Sequence, residues 1–414
     1  MATAETLIQP SFVELLRQQR EGYTLDQCFY SSEAIFERDM ENIYRANWIY
    51  AGHVSEIPKP GDYFIYKLSN SAVIIIRDAG DQIHALANSC RHRGSIICKE
   101  ASGHAKKLVC PYHAWVYEPD GTLTSARMMP EEFDKSSHGL HRYHCRVVEG
   151  LIHICLAEKA PDFEPIARDI ERFLKPHGLT RIAICHRKAW ICEANWKLVM
   201  ENFQECYHCG PTHPEYCSVM PYYSAELTRK PDEVSQRYRE FVKSWHAQPG
   251  RHDPEPVEPS VDRTHDCSRT LIGPGHLTQS KDGQPIAKLL GDYTEYDGAV
   301  TTVRIVTSYY NMANDWGVLL RITPLGPQAT EVRADWFVHE DAEPGKDFDV
   351  EELTWLWRVT YGQDIEITQN NQYGVNDASY RPAPYAPIES GSAIFTAWYL
   401  KSSLDRELEA SYAR

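Results

Sequence analysis

Four metal-binding side chains stand in two short loops of this sequence, within the stretch CRHRGSIICKEASGHAKKLVCPYH. The first loop contributes Cys90 and His92, and the second contributes Cys110 and His113. One thiolate and one imidazole from each loop match a [2Fe–2S] cluster in which one iron is bound by both cysteines and the other by both histidines. Structural zinc sites also use two cysteines and two histidines. Zinc fingers, however, place their two histidines together at the end of a helix, so the alternation seen here favours the iron–sulfur cluster.

A second group of possible iron ligands follows in ENFQECYHCGPTHPEY. Glu205 lies three residues before His208, which on a helix places both side chains on one face, and His213 follows just beyond Pro211. Two imidazoles and one carboxylate form the facial triad that binds non-haem Fe(II) and leaves positions open for O₂ and substrate. Glu205 is one possible carboxylate, although its place beside His208 better suits a group that orients the imidazole. The distant stretch QDIEITQNNQYG offers two others, Asp364 and Glu366.

Composition narrows the classes of function. The 414 residues carry a net charge of −15, which argues against a nucleic-acid partner and is compatible with a cationic substrate. The N-terminus lacks the apolar core of a signal peptide, and SAVIII, the most apolar run, is too short to span a bilayer. We therefore expect a soluble, cytoplasmic protein without membrane contact. Twelve cysteines in so long a chain indicate thiol or metal chemistry rather than a disulfide scaffold.

The elements that must position these residues change in type along the chain. The first 48 residues are predicted to be helical, and the stretch from Trp48 to Glu158 alternates with period two, as expected of a small β domain. NWKLVMENFQECYHCG is predicted to be one helix with an apolar stripe that runs to Tyr207, and residues 225–300 are predicted to be irregular. Three strand-like segments between residues 301 and 340 and a helix from about Val350 to Tyr373 complete an α+β domain.

With both motifs named, the chain closely resembles the Rieske non-haem iron oxygenases, from RANWIYAGH through the two metal motifs to QDIEITQNNQYG and YRPAPY. The resemblance implies an α+β fold, with an all-β Rieske [2Fe–2S] domain inserted in a catalytic domain whose antiparallel sheet is flanked by helices, of the helix-grip type. We expect an N-terminal helical segment at residues 1–47, the Rieske domain at 48–160, and the catalytic domain with its mononuclear iron at 161–414.

The resemblance also assigns roles to individual residues. It implies that His208, His213 and Asp364 bind the iron. It implies a homotrimer, in which a carboxylate joins a cluster histidine of one chain to an iron histidine of the next, here His113 and His208 through Glu205. Asn202, one turn before the motif, is expected to lie near the iron.

Most of the family carries aspartate at this bridge. The glutamate found here, Glu205 within ENFQECYHC, resembles the subgroup that acts on quaternary ammonium compounds. The implied reaction is the O₂- and NAD(P)H-dependent N-demethylation of a substrate such as glycine betaine or proline betaine, with release of formaldehyde. Electrons would come through a separate flavin/iron–sulfur reductase, because the chain has no glycine-rich dinucleotide loop. The alternative is ring hydroxylation of an aromatic substrate.

The substrate pocket is less well defined by the sequence. Aromatic faces suit a quaternary ammonium head because the ring attracts the cation. The candidates for this role are Tyr222, Tyr223, Tyr309, Tyr310 and Trp316. The candidates for binding a substrate carboxylate are Arg304, Arg321 and His276.

Overall fold

The computed structural model describes residues 11–223, 231–248, 251 and 254–412. The helices in chain order are α1 (Phe12–Gln18), α2 (Cys28–Ser31), α3 (Glu33–Asp39), α4 (Glu164–Leu174), α5 (Trp196–Phe203), α6 (Cys209–Thr212), α7 (Pro214–Val219), α8 (Pro231–His246), α9 (Val350–Val375) and α10 (Ser390–Tyr412). The strands are β1 (Ile49–His53), β2 (Asp62–Leu68), β3 (Ser71–Arg77), β4 (Ile83–Ala87), β5 (Ser102–His104), β6 (Leu108–Val109), β7 (Val116–Tyr117), β8 (Leu123–Ser125), β9 (Arg142–Val148), β10 (Leu151–Cys155), β11 (Ile182–Cys192), β12 (His265–Leu271), β13 (Ala299–Ile305), β14 (Ser308–Met312), β15 (Trp316–Gly326) and β16 (Ala329–His339).

The first ten strands form the all-β part of the molecule. Seven of them make an antiparallel sheet in the order β1-β10-β9-β4-β3-β2-β5, and β6, β7 and β8 form a small separate sheet. The Cys90 loop follows β4, and the Cys110 loop joins β6 to β7. A core of its own, which includes Leu86, Leu108 and Tyr117, lies beneath the two loops. The expected Rieske domain, residues 48–160, encloses all of these strands.

The remaining strands form a six-stranded antiparallel sheet in the order β11-β16-β15-β14-β13-β12. Helix α9 contacts β11, α5 and α7, and α10 contacts α5. The helix predicted from Val350 to Tyr373 is therefore present as α9, and its first turn is capped by Asp349, whose side chain accepts from Glu352 N at 2.9 Å. This arrangement places the long helix next to the segment that carries His208 and His213.

The predicted helix across residues 195–210 is shorter than the sequence indicated. Helix α5 starts after Asn195, whose side chain accepts from Lys197 N at 2.9 Å, and it ends at Phe203. The carboxylate of Glu205 then accepts from the backbone N–H groups of Tyr207 and His208, and so takes the place of helical hydrogen bonds there. Because the chain turns at this point, Tyr207 is 52 % exposed and does not belong to the apolar stripe.

The prediction that residues 225–300 are irregular is wrong for two described segments, α8 and β12. Trp245 of α8 packs with Leu271 and Ala299 of the sheet, which explains why this polar stretch is ordered against the core. Within the described ranges, no helix has both the length and the apolar character that crossing a membrane requires.

Candidate metal centres and substrate cavity

The two cysteine–histidine loops repeat one backbone design. In the first loop Gly94 N donates to Cys90 O at 2.8 Å, and in the second Ala114 N donates to Cys110 O at 3.0 Å. Both of these fifth residues adopt the left-handed backbone, with φ of +76° at Gly94 and +54° at Ala114. Glycine adopts this conformation freely, and alanine does so with strain. Because the hydrogen bond and the backbone conformation are the same in both, the two loops bend in the same way.

Thiols and imidazoles occupy different depths of this site. Cys90 and Cys110 are buried, and the hydroxyl of Tyr117 lies 3.1 Å from Cys90 Sγ. His92 and His113 are exposed at the tip, with their Nδ1 atoms 3.1 Å apart. Two buried thiols and two converging imidazole nitrogens fit a cluster whose outer iron is bound by histidine and lies nearest to solvent. Cys98 is also buried, and burial raises the pKa of its thiol to about 11, as expected of a structural cysteine.

His208, His213 and Asp364 are brought together although 151 residues separate the last two. The Oδ1 atom of Asp364 lies 3.0 Å from His213 Nε2 and 3.3 Å from His208 Nε2. Asp364 is buried on the face of α9 that meets the histidines, whereas its competitor Glu366 is exposed.

Hydrogen bonds on the far side of each imidazole identify which nitrogen carries the proton. His208 Nδ1 lies 2.5 Å from Glu205 Oε1, and a carboxylate only accepts, so Nδ1 donates. His213 Nδ1 lies 2.8 Å from Gln363 Oε1. The Gln363 amide has a single orientation there, because its Nε2 donates to Glu215 Oε2 at 2.9 Å. Both Nε2 atoms therefore present lone pairs in the neutral form.

Three acceptor atoms thus converge: two imidazole nitrogens and a carboxylate oxygen. Such a set requires a cation between its members, and two histidines with one carboxylate are the donor set of non-haem iron. Burial alone would lower the pKa of His208, but its bonds to Asp364 and Glu205 raise it to about 9. A proton is therefore strongly held wherever a metal does not take its place.

A third possible ligand atom lies beside the two histidines. Cys209 Sγ is 3.9 Å from His208 Nε2, and the candidate ligand atoms of His208, Cys209 and His213 all fall within 4.8 Å of one another. Cys209 is joined to Cys206 by a disulfide, which removes the thiolate that metal binding needs. Asp364 is therefore the better third ligand.

Two adjoining cavities open at this site. The smaller, of about 70 Å³, is lined by His208, His213 and Asp364 together with Asn202, Tyr216, Tyr309 and Trp357. The larger, of about 480 Å³, shares five wall residues with it, which are Phe203, Glu205, Cys206, Tyr216 and Tyr309. Its other charged walls are Glu258, Asp266 and Arg304, so carboxylates outnumber cations in the lining.

Some of the residues predicted for the substrate pocket line the cavities, and others lie elsewhere. Tyr309 lines both cavities, but Tyr310 does not, because neighbouring residues of a strand point to opposite faces. Tyr310 packs instead against Tyr50 and His153 in the core, and Trp316 is also buried in that core. The substrate role predicted for Tyr310 and Trp316 does not fit these positions.

Of the other residues predicted for the pocket, one lines the larger cavity and the other described side chains do not. Tyr222 packs against Tyr238 of α8, and the side chain of Tyr223 lies outside the described residues. Arg304 lines the larger cavity and donates to Asp266 at 2.7 Å. Arg321 is directed toward β1, where it donates to the carbonyl of Ala51 at 2.8 Å. His276 packs against the loop at Gly283.

Sequence reasoning missed Trp357, Tyr216 and Gln363. Trp357 lies one turn of helix before Thr360 and two turns before Asp364, and all three line the smaller cavity. The helical spacing from Asp364 back to Trp357 is visible in the sequence and could have identified it. Gln363 has no such signal, because its role depends on His213, 150 residues away.

Two regions of the chain match known protein families. Residues 47–143 match the Rieske [2Fe-2S] domain, and residues 179–402 match the catalytic domain of the ring hydroxylating alpha subunit. The chain is 33 % identical over 398 residues to the glycine betaine monooxygenase oxygenase subunit of Chromohalobacter salexigens, which covers 95 % of this chain and 88 % of that one. The corresponding subunit of Pseudomonas aeruginosa PA14 is 33 % identical, with 96 % and 93 % covered.

The chain belongs to the Rieske non-haem iron oxygenases. The crystal structure of the quaternary ammonium Rieske monooxygenase CntA with an inhibitor has the same fold, with a TM-score of 0.72 and 20 % identity over 95 % of this chain and 99 % of that one. Membership in the family makes the chain an oxidoreductase, and the two domains imply a Rieske [2Fe–2S] cluster and a mononuclear iron. A separate reductase that supplies electrons is typical of the family.

Proposed function

We propose that this Rieske oxygenase removes an N-methyl group from a quaternary ammonium compound such as glycine betaine or proline betaine. The observation that carries the proposal is the aromatic wall beside the three converging acceptor atoms. Trp357 lies 5.6 Å from Tyr216 and 6.4 Å from Tyr309, measured between ring centroids, and all three line the cavity that also contains His208 and His213. Aromatic faces bind a cation that cannot donate a hydrogen bond.

The charge of the cavity and the nature of the relatives support the same substrate class. Carboxylates prevail among the charged residues that line the larger cavity, which favours a cation over an aromatic acid. Two relatives that align with nearly the whole chain are named for glycine betaine. A carnitine monooxygenase oxygenase subunit of Acinetobacter baumannii is 34 % identical over 200 residues, which cover 47 % of this chain and 54 % of that one.

We assign the cluster to Cys90, His92, Cys110 and His113, and the mononuclear iron to His208, His213 and Asp364. When bound there, the cluster would supply single electrons and the iron would activate O₂. Around them, Glu205 and Gln363 hold the proton on Nδ1 of each histidine, which keeps each Nε2 directed at the iron position. The aromatic wall holds the N-methyl group beside that position and keeps water away from it.

The chemistry balances with one NAD(P)H for each methyl group. O₂, NAD(P)H and one proton convert the N-methyl group to N-hydroxymethyl, and one oxygen atom leaves as water. The N–CH₂OH product then loses formaldehyde and a proton, which leaves the tertiary amine. The chain contributes binding and orientation to this sequence, and it protects the reacting carbon from solvent.

We propose further that the enzyme is a homotrimer in which Glu205 links neighbouring chains. Among the residues that the structure describes, Glu205 bonds to His208, and His113 meets His92 at the exposed tip, while no hydrogen bond joins Glu205 to His113 of the same chain. The exposed tip is therefore available to a second copy. Light scattering of the iron-loaded protein should give a mass close to three times the 47.5 kDa of one chain.

A turnover assay with a surrogate reductase and NADH tests the substrate class. Glycine betaine and proline betaine should each stimulate O₂ uptake and release about one formaldehyde for each O₂ consumed. Aromatic acids serve as the comparison, since ring hydroxylation would give a cis-diol or phenol without formaldehyde. An aromatic substrate that is turned over while no quaternary ammonium compound is would overturn the proposal.

A further inference from the structure

Gln279 connects the polar wall of the larger cavity to the aromatic wall of the smaller one. This residue lines the larger cavity and is 2 % exposed. Its Oε1 atom accepts from the indole Nε1 of Trp357 at 3.4 Å. The ring that we assign to the ammonium head is thus in direct contact with a buried amide.

The orientation of this amide is unambiguous. An indole N–H only donates, so the atom of Gln279 that faces Trp357 must be the oxygen, and the NH₂ group must lie on the other side. Among the described residues, that Nε2 atom is buried and has no hydrogen-bond partner. A buried donor without an acceptor destabilises the protein, so such a group in a native protein is expected to meet a partner from outside the chain, such as an ordered water, an ion or a ligand.

A second amide of the same wall is also incompletely bonded. Asn311 is 4 % exposed, its Nδ2 lies 3.3 Å from Thr302 Oγ1, and its Oδ1 has no partner among the described residues. The cation of this wall, Arg304, already donates to Asp266 at 2.7 Å, and the two charges offset each other. The unpaired atom of Asn311 is thus an acceptor, which cannot bond a carboxylate, whereas the unpaired NH₂ group of Gln279 can donate to one.

We propose that Gln279 is a specificity-determining residue that donates an N–H hydrogen bond to the carboxylate of a zwitterionic substrate whose ammonium head lies against Trp357. This inference rests on the proposed function and narrows it to betaines over simple tetraalkylammonium ions. The direct bond between Trp357 and Gln279 places the two binding groups side by side, so the favoured zwitterion has a short link between its charges.

Equilibrium binding to the iron-loaded enzyme without O₂ tests the inference. Calorimetry would compare glycine betaine with tetramethylammonium, which presents the same head without a carboxylate. Gln279→Leu should weaken glycine betaine binding by about tenfold to a hundredfold, the range for a hydrogen bond to a charged group, and change tetramethylammonium binding by less than about threefold. Thr270→Val, which removes a hydroxyl from the same cavity wall, is the matched control and should leave both affinities unchanged.

A second variant keeps the test decisive if the leucine variant does not fold. Gln279→Glu retains an acceptor for the Trp357 N–H group and places a negative charge beside the substrate carboxylate, so glycine betaine binding should fall while tetramethylammonium binding is kept. Unchanged preference for glycine betaine in the folded variants would overturn the role of Gln279 and leave the proposed function standing. A wild-type enzyme that binds neither compound would instead overturn the proposed function itself.

Discussion

At the scale of single residues, the proposed iron position is defined by the atoms that can offer a lone pair to a metal. Glu205 and Gln363 each accept a hydrogen bond from the Nδ1–H on the far side of an imidazole, with the Gln363 amide oriented by Glu215. This leaves two nitrogen lone pairs facing the Asp364 carboxylate. The sequence alone predicted both histidines and left Asp364, Glu366 and Glu205 open as the carboxylate. It could not predict Gln363, because the contact that gives this residue its role exists only in the folded chain.

Replacing Glu205 with alanine should separate metal binding from turnover. With excess Fe(II), Glu205→Ala should still fill both metal sites, yet turnover with glycine betaine should fall by about a hundredfold or more, because His208 loses its orienting partner and the proposed link between chains is cut. Iron and sulfide analysis beside O₂ uptake would measure both effects. Glu366→Ala, which removes an exposed carboxylate of α9, should behave like the wild type. Normal turnover in Glu205→Ala would contradict the bridging role.

At the scale of elements, α5 is tied to the N-terminal helical segment by a buried ion pair. Lys197 of α5 contacts Asp39 of α3, and both side chains are fully buried. Asp39 also accepts from Trp196 Nε1 at 3.0 Å and from Tyr399 OH at 2.7 Å. This network joins α3, α5 and α10, and α5 is the helix that precedes the segment with the proposed iron ligands.

Removing the lysine should therefore destabilise the whole domain. Lys197→Met leaves the Asp39 carboxylate buried and uncompensated, at a cost of about 3–5 kcal/mol in the free energy of unfolding. Adding Asp39→Asn should recover most of that loss. Lys401→Met, which breaks an exposed pair with Asp405, should change the stability by less than about 1 kcal/mol. Urea unfolding measures all of these variants, and equal stabilities of Lys197→Met and Lys401→Met would contradict the account.

Strand β10 contains a group that makes stability depend on pH. The ring of His153 lies among Tyr50, Tyr310 and Phe163, and burial lowers its pKa to about 3. Between pH 6.5 and that value the unfolded chain binds a proton that the native state does not, so stability decreases as the pH falls.

The wild type should consequently lose about 2 kcal/mol more than His153→Gln on going from pH 7 to pH 5. Urea unfolding at both pH values would show the difference, and His144→Gln, an exposed histidine of the neighbouring strand, should keep the wild-type dependence. An identical pH dependence in His153→Gln would exclude this histidine as the source.

The elements also show where sequence reasoning is limited. Alternation with period two predicted the strands of the Rieske domain, and helical periodicity predicted α9, because both patterns reflect burial of one face. The same reasoning extended α5 too far, since the capping of Tyr207 and His208 by Glu205 is a side-chain contact that periodicity does not detect. It missed α8, whose packing on β12 and β13 is equally a tertiary effect.

At the scale of the whole molecule, the two candidate metal sites lie in different domains. The Rieske domain buries its thiols and exposes its imidazoles, so the histidines are the part of the proposed cluster site nearest to solvent. The catalytic domain encloses its acceptor trio between α9 and the segment after α5, beside an aromatic and net acidic cavity. The sequence predicted this division from two ligand motifs, but it could not reveal the walls of the cavity, which come from six separated segments of the chain.

Metal analysis of the anaerobically reconstituted protein tests the central claim most directly. Two separate iron sites predict about three iron atoms and two acid-labile sulfides per chain, and His213→Ala should retain the sulfide and the Rieske spectrum while it falls to about two iron atoms. A wild-type protein that never exceeds two iron atoms per chain, or a His213→Ala variant that keeps three, would contradict the account.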